Sequence, residues 1–181
     1  MRIDKNFKGL EKLENGDYFL KGEIRTDEDL IVELDDRLKV EQGVYAKRIE
    51  INTTLIAGCG IKAGDGIEAG DGIEAGWGIN AGCGINAGWG INAGGGIEAG
   101  WGINAGYGIE AHTFISSQKR IFAGISIYIN SSDCYKTIRC AELKNGEIAY
   151  GDLIITKEEP VEEMTLKEVC EKLGKNIKII K

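Results

Sequence analysis

Residues 58–111 read GCGIKAGDGIEAGDGIEAGWGINAGCGINAGWGINAGGGIEAGWGINAGYGIEA, which is nine copies of the six-residue unit G-x-G-I-x-A. Isoleucine recurs at every sixth position from Ile61 to Ile127 without interruption. This period fits neither the 3.6-residue turn of an α-helix nor the simple alternation of a single strand. A fixed short period instead predicts one structural unit that is repeated around a coil, so this stretch decides the fold.

Each unit is expected to form a short strand followed by a corner. The isoleucine and the alanine two residues later lie on the same face of a strand and are predicted to point inward, with the residue between them pointing outward. The glycines flanking the next residue predict a sharp corner, because glycine reaches positive φ without steric cost. Three such sides close a triangular coil of about 18 residues.

The outward residues of the array favour the same coil length. With 18-residue coils no glutamate in this column lies directly on another glutamate, whereas coils of one, two, four or five units stack at least one such pair. Like charges opposite each other on paired strands are destabilising. The column consists of Lys62, Glu68, Glu74, Asn80, Asn86, Asn92, Glu98, Asn104 and Glu110.

The chain is therefore divided into three regions. Residues 1–17 are polar and predict an N-terminal cap, either a short helix or an irregular segment. Residues 18–130 are predicted to form the β-solenoid, because pairs of apolar residues two apart continue upstream to Val32 and downstream to Ile129. Residues 131–181 are predicted to form a small C-terminal tail that caps the solenoid or mediates oligomerisation, since exposed strand edges are normally covered.

The C-terminal tail carries its own secondary-structure signals. A strand is predicted over residues 137–143, a hairpin turn at Asn145-Gly146, and a return strand over residues 148–156. Thr165 then opens a capping box for a short helix, and residues 176–181 are expected to form a final strand. The fold class is thus mainly β, with a β-hairpin, helix and strand after the solenoid.

Composition narrows the function classes. The formal net charge of −7 argues against direct binding of nucleic acid, which usually requires a basic patch. Five cysteines, an odd number with no C-x-x-C pair, suggest neither a disulfide framework nor a zinc site. The chain has no apolar stretch long enough to span a membrane and no signal-peptide core at its start. A cytoplasmic protein without membrane contact is expected.

No cofactor or metal is expected. The pattern G-x-G-x-x-A resembles a dinucleotide-binding fingerprint, but that fingerprint requires one copy between a strand and a helix, not nine in succession. Asp65 and Asp71 follow glycines as acidic residues do in calcium-binding β-rolls. Those rolls repeat every nine residues with many more aspartates, so a metal site is not predicted.

The Ile-x-Ala-Gly-x-Gly array resembles the hexapeptide-repeat superfamily of parallel β-helices over about residues 49–130, which implies a left-handed triangular coil. Residues 29–52 more loosely resemble bactofilins, which are polymer-forming β-helical proteins. Many hexapeptide-repeat proteins are trimeric acyltransferases with a histidine base between subunits. That resemblance implies a catalytic role for His112, the single histidine of the chain. The alternative is a corner residue on the surface, since no inserted loop interrupts the array.

The variable corner position holds the candidate binding residues, Trp77, Trp89, Trp101 and Tyr107. Eighteen-residue coils place Trp89 directly below Tyr107 on one edge, Trp77 on a second edge and Trp101 on the third. Exposed aromatic side chains are typical anchors of protein interfaces. Two alternatives are open: the rings stiffen the edges by stacking, or the C-terminal tail covers them.

Three functions are consistent with these features. The favoured one is a non-catalytic module for protein interaction or structure. The small size and acidic charge of the chain fit a phage or mobile-element product that binds and inhibits a host protein. The alternatives are an acyltransferase that uses His112 and a self-assembling scaffold whose ends stack. The expected partner is therefore another protein or a second copy of the chain.

Overall fold

A computed structural model of the chain describes residues 1–124 and 136–156. These residues form a parallel β-solenoid of about seven turns with about 18 residues in each coil. The strands, in chain order, are β1 (Arg2–Asp4), β2 (Leu10–Lys12), β3 (Tyr18–Leu20), β4 (Ile24–Arg25), β5 (Leu30–Glu33), β6 (Leu38–Val40), β7 (Val44–Ala46), β8 (Ile49–Ile51), β9 (Leu55–Ala57), β10 (Ile61–Ala63), β11 (Ile67–Ala69), β12 (Ile73–Ala75), β13 (Ile79–Ala81), β14 (Ile85–Ala87), β15 (Ile91–Ala93), β16 (Ile97–Ala99), β17 (Ile103–Ala105), β18 (Ile109–Ala111), β19 (Phe114–Ala123), β20 (Thr137–Cys140), β21 (Glu142–Tyr150) and β22 (Asp152–Ile155).

Each coil has three sides. Side 1 stacks β4, β7, β10, β13, β16 and the first half of β19, and side 2 stacks β1, β5, β8, β11, β14, β17 and the second half of β19. Side 3 stacks β2, β3, β6, β9, β12, β15, β18, β20 and β22. Ile61 is paired with Ile79, and Ile79 with Ile97, which confirms the predicted 18-residue spacing.

The interior consists of two kinds of column. On each side the isoleucines stack on one another and the alanines do the same, and both are buried throughout the array. The residue between them is exposed or half-buried, as predicted from the alternation of strand residues. Burial of one isoleucine side chain contributes roughly 1.5–3 kcal/mol, so these columns are the main source of stability.

The predicted reason for the corner glycines is wrong. No glycine between residues 58 and 111 has positive φ; among the described residues, positive φ occurs at Gly9, Gly16, Gly22, Gly124, Gly146 and Gly151. In seven of the nine corners of this stretch, the first glycine instead lies directly against the backbone of the preceding coil. A Cβ atom at Gly76 would overlap the carbonyl oxygen of Gly58, and one at Gly82 would overlap that of Gly64. Glycine is needed for close approach of successive coils.

The N-terminal segment joins the solenoid as two strands, so it is neither the short helix nor the wholly irregular segment that the sequence left as alternatives. β1 pairs in parallel with β5 and buries Ile3 completely, while β2 pairs antiparallel with β3. An open strand edge at the first coil leaves backbone donors and acceptors unpaired, and pairing with the N-terminal segment satisfies them. Residues 1–17 therefore extend two sides of the solenoid at this end.

The last coils depart from the strict repeat. β19 runs through a corner without a break, and Ile138 of β20 takes the place opposite Ile109 that the period assigned to Ile127. Ile127 itself lies outside the described residues. The inserted residues between β19 and β20 shift the register, so the core column continues with an isoleucine from farther along the chain.

The hairpin predicted at Asn145-Gly146 is wrong. Both residues lie within β21, which pairs in parallel with β19 across several register shifts, and Gly146 has a φ of 115°. In a hairpin, residues 137–143 and 148–156 would pair with each other. Instead, β21 pairs with the ten-residue strand β19 and so continues sides 1 and 2. The helix expected from Thr165 and the strand expected over residues 176–181 lie outside the described residues.

Candidate functional site

The edge between sides 2 and 3 carries the aromatic pair. Its corner residues Asp71, Trp89 and Tyr107, here called the Trp89 edge, lie one above another in successive coils. The Trp89 amide donates a hydrogen bond to the Asp71 carbonyl oxygen (3.0 Å), and the Tyr107 amide donates to that of Trp89 (3.1 Å). The backbone that presents these side chains is therefore bonded from coil to coil.

Trp89 and Tyr107 stack as the 18-residue coil predicted. Their ring centroids are 5.9 Å apart and the ring planes differ by 17°. Trp89 remains 58% exposed, whereas Tyr107 is half-buried. The stacking alternative from the sequence is thus realised, yet the indole of Trp89 still presents much of its surface to solvent.

The structure does not bring the other two tryptophans to this pair. Trp77 lies on the edge between sides 3 and 1, above Cys59, and Trp101 lies on the edge between sides 1 and 2, above Cys83. Trp77 is 71% exposed and Trp101 is 65% exposed. All three indoles are thus more than half exposed, with Tyr107 stacked on Trp89, and the four predicted binding residues form one pair and two separate positions.

A groove on side 3 adjoins the Trp89 edge, and sequence reasoning missed it. It has a volume of about 410 Å³ and is lined by Trp89, Glu74, Asn92, Glu110 and Arg37 among others. Arg139 Nη1 lies 3.6 Å from Glu110 Oε1. Within the described residues no cation pairs with Glu74. Three of its lining residues, Glu74, Asn92 and Glu110, were already in the outward column of the sequence analysis and stack on side 3 as the 18-residue spacing predicts.

Arg37 is held at the lower end of this groove by Asp17. Asp17 is fully buried and accepts hydrogen bonds from Lys39 Nζ (2.6 Å), Arg37 Nε (2.9 Å) and Asn15 Nδ2 (2.9 Å). The hydrogen bond from Lys39 is the largest cause that lowers the pKa of Asp17 to about 2, against the opposing effect of burial. The carboxylate is thus kept ionised, and Arg37 is already paired inside the molecule.

His112 lies at a corner, exposed to solvent, as one of the sequence alternatives expected. It lines a cleft of about 550 Å³ with Phe114, Glu142, Lys144 and Thr156. Lys144 Nζ lies 3.6 Å from the centroid of the Phe114 ring. Within residues 1–124 and 136–156, no side chain hydrogen-bonds the imidazole.

The remaining chemical features are few. Cys59, Cys83 and Cys140 are free thiols, and burial raises the pKa of Cys140. Among the described residues, no group of three or more His, Cys, Asp or Glu side chains could hold a metal ion. A helix of the length and apolarity needed to cross a membrane is likewise not found in those ranges. Comparisons of the chain with protein-family models, curated proteins and solved structures gave no match.

Proposed function

We propose that the protein is a non-catalytic module that binds another protein through aromatic side chains on the edges of a rigid β-solenoid. The observation that carries this proposal is the exposed Trp89, stacked on Tyr107 and mounted on a backbone bonded from coil to coil. Large exposed aromatic side chains are enriched at protein interfaces. A rigid mount lowers the entropy lost on binding, because little needs to be ordered when the partner arrives.

The proposal is tested by capture experiments with the immobilised full chain and a lysate of its source organism. Trp89→Ala is expected to lose a protein that the unmodified chain retains. Its melting temperature should change little, because the indole is 58% exposed and the stacked pair contributes only about 0.5–1.5 kcal/mol. Lys62→Ala, an exposed change on side 1, serves as the control for non-specific retention. Equal retention by all three proteins, with Trp77→Ala and Trp101→Ala also unaffected, would reject the proposal.

Self-assembly is a second candidate, and the C-terminal end of the described coils favours it. β22 ends side 3 and has a paired strand on one edge only within residues 136–156. Its Leu153, Ile154 and Ile155 are 39–40% exposed. Light scattering at increasing protein concentration tests this function, with Ile154→Lys expected to suppress any growth in particle size. A size that stays constant with concentration would exclude it.

The family of the β-solenoid and the handedness of its coil are also part of this proposal. A six-residue period and three-sided coils support membership of the hexapeptide-repeat superfamily, and the resemblance to that superfamily implies a left-handed coil. The unpaired thiols support action in the cytoplasm. The acyltransferase alternative remains testable by a thermal-shift measurement with acetyl coenzyme A: a stabilisation lost in His112→Ala would favour the enzyme.

A further inference from the structure

We propose that the Trp89 edge binds the guanidinium group of an arginine on the partner protein. This inference rests on the proposed function and specifies the chemistry of the partner. It combines an exposed aromatic platform, unpaired carboxylates beside it and the negative charge of the chain. The Trp89 edge and the adjoining groove on side 3 supply all of these in one place.

The aromatic platform is the stacked pair. The face of an indole attracts cations through its quadrupole, and arginine is the commonest cation at such sites. The planar guanidinium can stack on the indole while its N–H groups still donate hydrogen bonds in the plane. Because Tyr107 holds one face of Trp89 by stacking, the indole is fixed in orientation before a ligand arrives.

Both carboxylates belong to the coil below Trp89. Asp71 occupies the corner one coil below Trp89, at the strand spacing of about 4.8 Å. Glu74 lies on side 3 in the groove that Trp89 also lines. Neither carboxylate is engaged in a side-chain hydrogen bond or an ion pair within the described ranges. Both are therefore available to accept hydrogen bonds from a guanidinium.

The cations near the groove have other partners than Asp71 and Glu74. Arg37 is bound to the buried Asp17, and Arg139 lies beside Glu110. Within the described residues no cation forms an ion pair with Asp71 or Glu74, although Arg37 and Lys39 share the single carboxylate of Asp17 and keep a net positive charge at the lower end of the groove. The formal net charge of −7 adds a long-range attraction for basic partners.

The other two tryptophans lack this combination and provide internal controls. The residue one coil below Trp77 is Cys59 and the one above it is Gly95. Trp101 lies between Cys83 below and Lys119 above, and a lysine disfavours a second cation. Only the Trp89 edge places a carboxylate and a second aromatic ring directly next to the indole.

Because the chain has three tryptophans, replacing two of them makes the fluorescence of Trp89 a direct measure of binding at the Trp89 edge. Trp77→Phe/Trp101→Phe leaves Trp89 as the only tryptophan. Its fluorescence is measured while a peptide with blocked ends and several arginines is added, and the matched lysine peptide is titrated in parallel. We expect a saturable change that is tighter for arginine than for lysine and weaker at higher salt concentration.

Matched variants make the test specific. In the Trp89-only protein, Asp71→Asn is expected to weaken arginine-peptide binding by about two- to fivefold while the melting temperature stays the same. Proteins that keep only Trp77 or only Trp101 should show no saturable change. Equal responses from the three single-tryptophan proteins, no effect of Asp71→Asn, or a stronger response to an acidic peptide or a neutral oligosaccharide would overturn the inference.

The two proposals fail separately. If Trp89→Ala abolishes capture of a partner but arginine peptides do not bind, the protein-binding function stands and the arginine chemistry is wrong. If arginine peptides bind at Trp89 but no tryptophan variant alters capture of a partner, the chemistry stands and the proposed function is wrong.

Discussion

The corner glycines are required because successive coils approach one another at their backbones. In seven corners the first glycine lies so close to a carbonyl oxygen of the coil below that a Cβ atom would overlap it, as at Gly82 against Gly64, whereas a Cβ at Gly64 would lie 3.5 Å from the Lys47 carbonyl oxygen. The second glycine of the same corner is less constrained: a Cβ at Gly84 would lie 3.4 Å from the carbonyl oxygen of Gly102, which is ordinary contact. The two glycines of one corner therefore differ in their tolerance of a side chain although both have negative φ.

Gly82→Ala is expected to destabilise the protein by about 2 kcal/mol or more, because the added methyl group forces two coils apart. Gly84→Ala should change stability by well under half of that amount. Chemical denaturation of both variants measures the difference. Similar losses in the two proteins would show that a different property of glycine, not close approach, governs the corner.

The buried Asp17 should make stability depend on pH in the acid range. Its pKa of about 2 in the folded protein lies below the value near 3.9 expected in the unfolded chain. The stabilisation is therefore full above about pH 4 and is lost as the pH falls towards 2. Asp17→Asn is expected to cost about 2 kcal/mol near neutral pH and very little near pH 2.

Urea denaturation across this pH range checks the prediction, with the exposed Asp65→Asn as the control. A cost of Asp17→Asn that is the same at all pH values would mean that the carboxylate charge is not what stabilises the site.

At the scale of the strand, outward side chains interact between coils. Asn104 Nδ2 donates a hydrogen bond of 2.7 Å to Asn86 Oδ1, and Asn80 Nδ2 donates one of 3.1 Å to Glu98 Oε2. Within the array no glutamate is stacked on another glutamate. At its upstream end, however, Glu50 is paired with Glu68. Arg48 lies between them, with Nη2 3.0 Å from Glu68 Oε1 and 3.8 Å from Glu50 Oε2.

Arg48→Gln is expected to destabilise the protein by up to about 1 kcal/mol, because it leaves two like charges opposed on paired strands. The double variant Arg48→Gln/Glu50→Gln should recover most of the loss, since one of the two charges is gone. Denaturation at low and high salt measures both effects, and screening should reduce them. A loss that persists in the double variant would indicate that Arg48 stabilises the coil by packing instead.

At the scale of the molecule, the uniform coils make the array modular. Each strand in the array pairs with the strands one coil above and one coil below, so a whole coil can be removed without disturbing the remaining pairs. The ends are different, because the N-terminal segment and β19–β22 depart from the repeat. Length is therefore adjustable in the middle of the solenoid only.

Deletion of residues 70–87 removes one coil and joins Ala69 to Gly88. We expect this protein to keep a β-type circular dichroism spectrum and to unfold cooperatively, with moderately lower stability. Deletion of residues 70–84 instead joins Ala69 directly to Ile85, which removes a corner and turns Ile85 outward. This control should be aggregated or unfolded. Equal behaviour of the two deletions would contradict the three-sided coil.

The sequence alone determined the architecture of the array and one feature of the candidate site. The six-residue period sets which side chains point inward and how many residues complete a coil, because the same local packing requirement recurs at every unit. For the same reason, the stacking of Trp89 on Tyr107 could be predicted from their separation along the chain.

The tertiary structure alone decided what happens where the repeat ends and where distant residues meet. It placed Ile138 opposite Ile109, added β1 and β21 to open strand edges, and paired Arg37 with Asp17. It also showed that the corner glycines serve close approach and not positive φ. These outcomes depend on which backbone edge or charge is left unsatisfied by the folded coils, and such a requirement has no fixed spacing in the sequence.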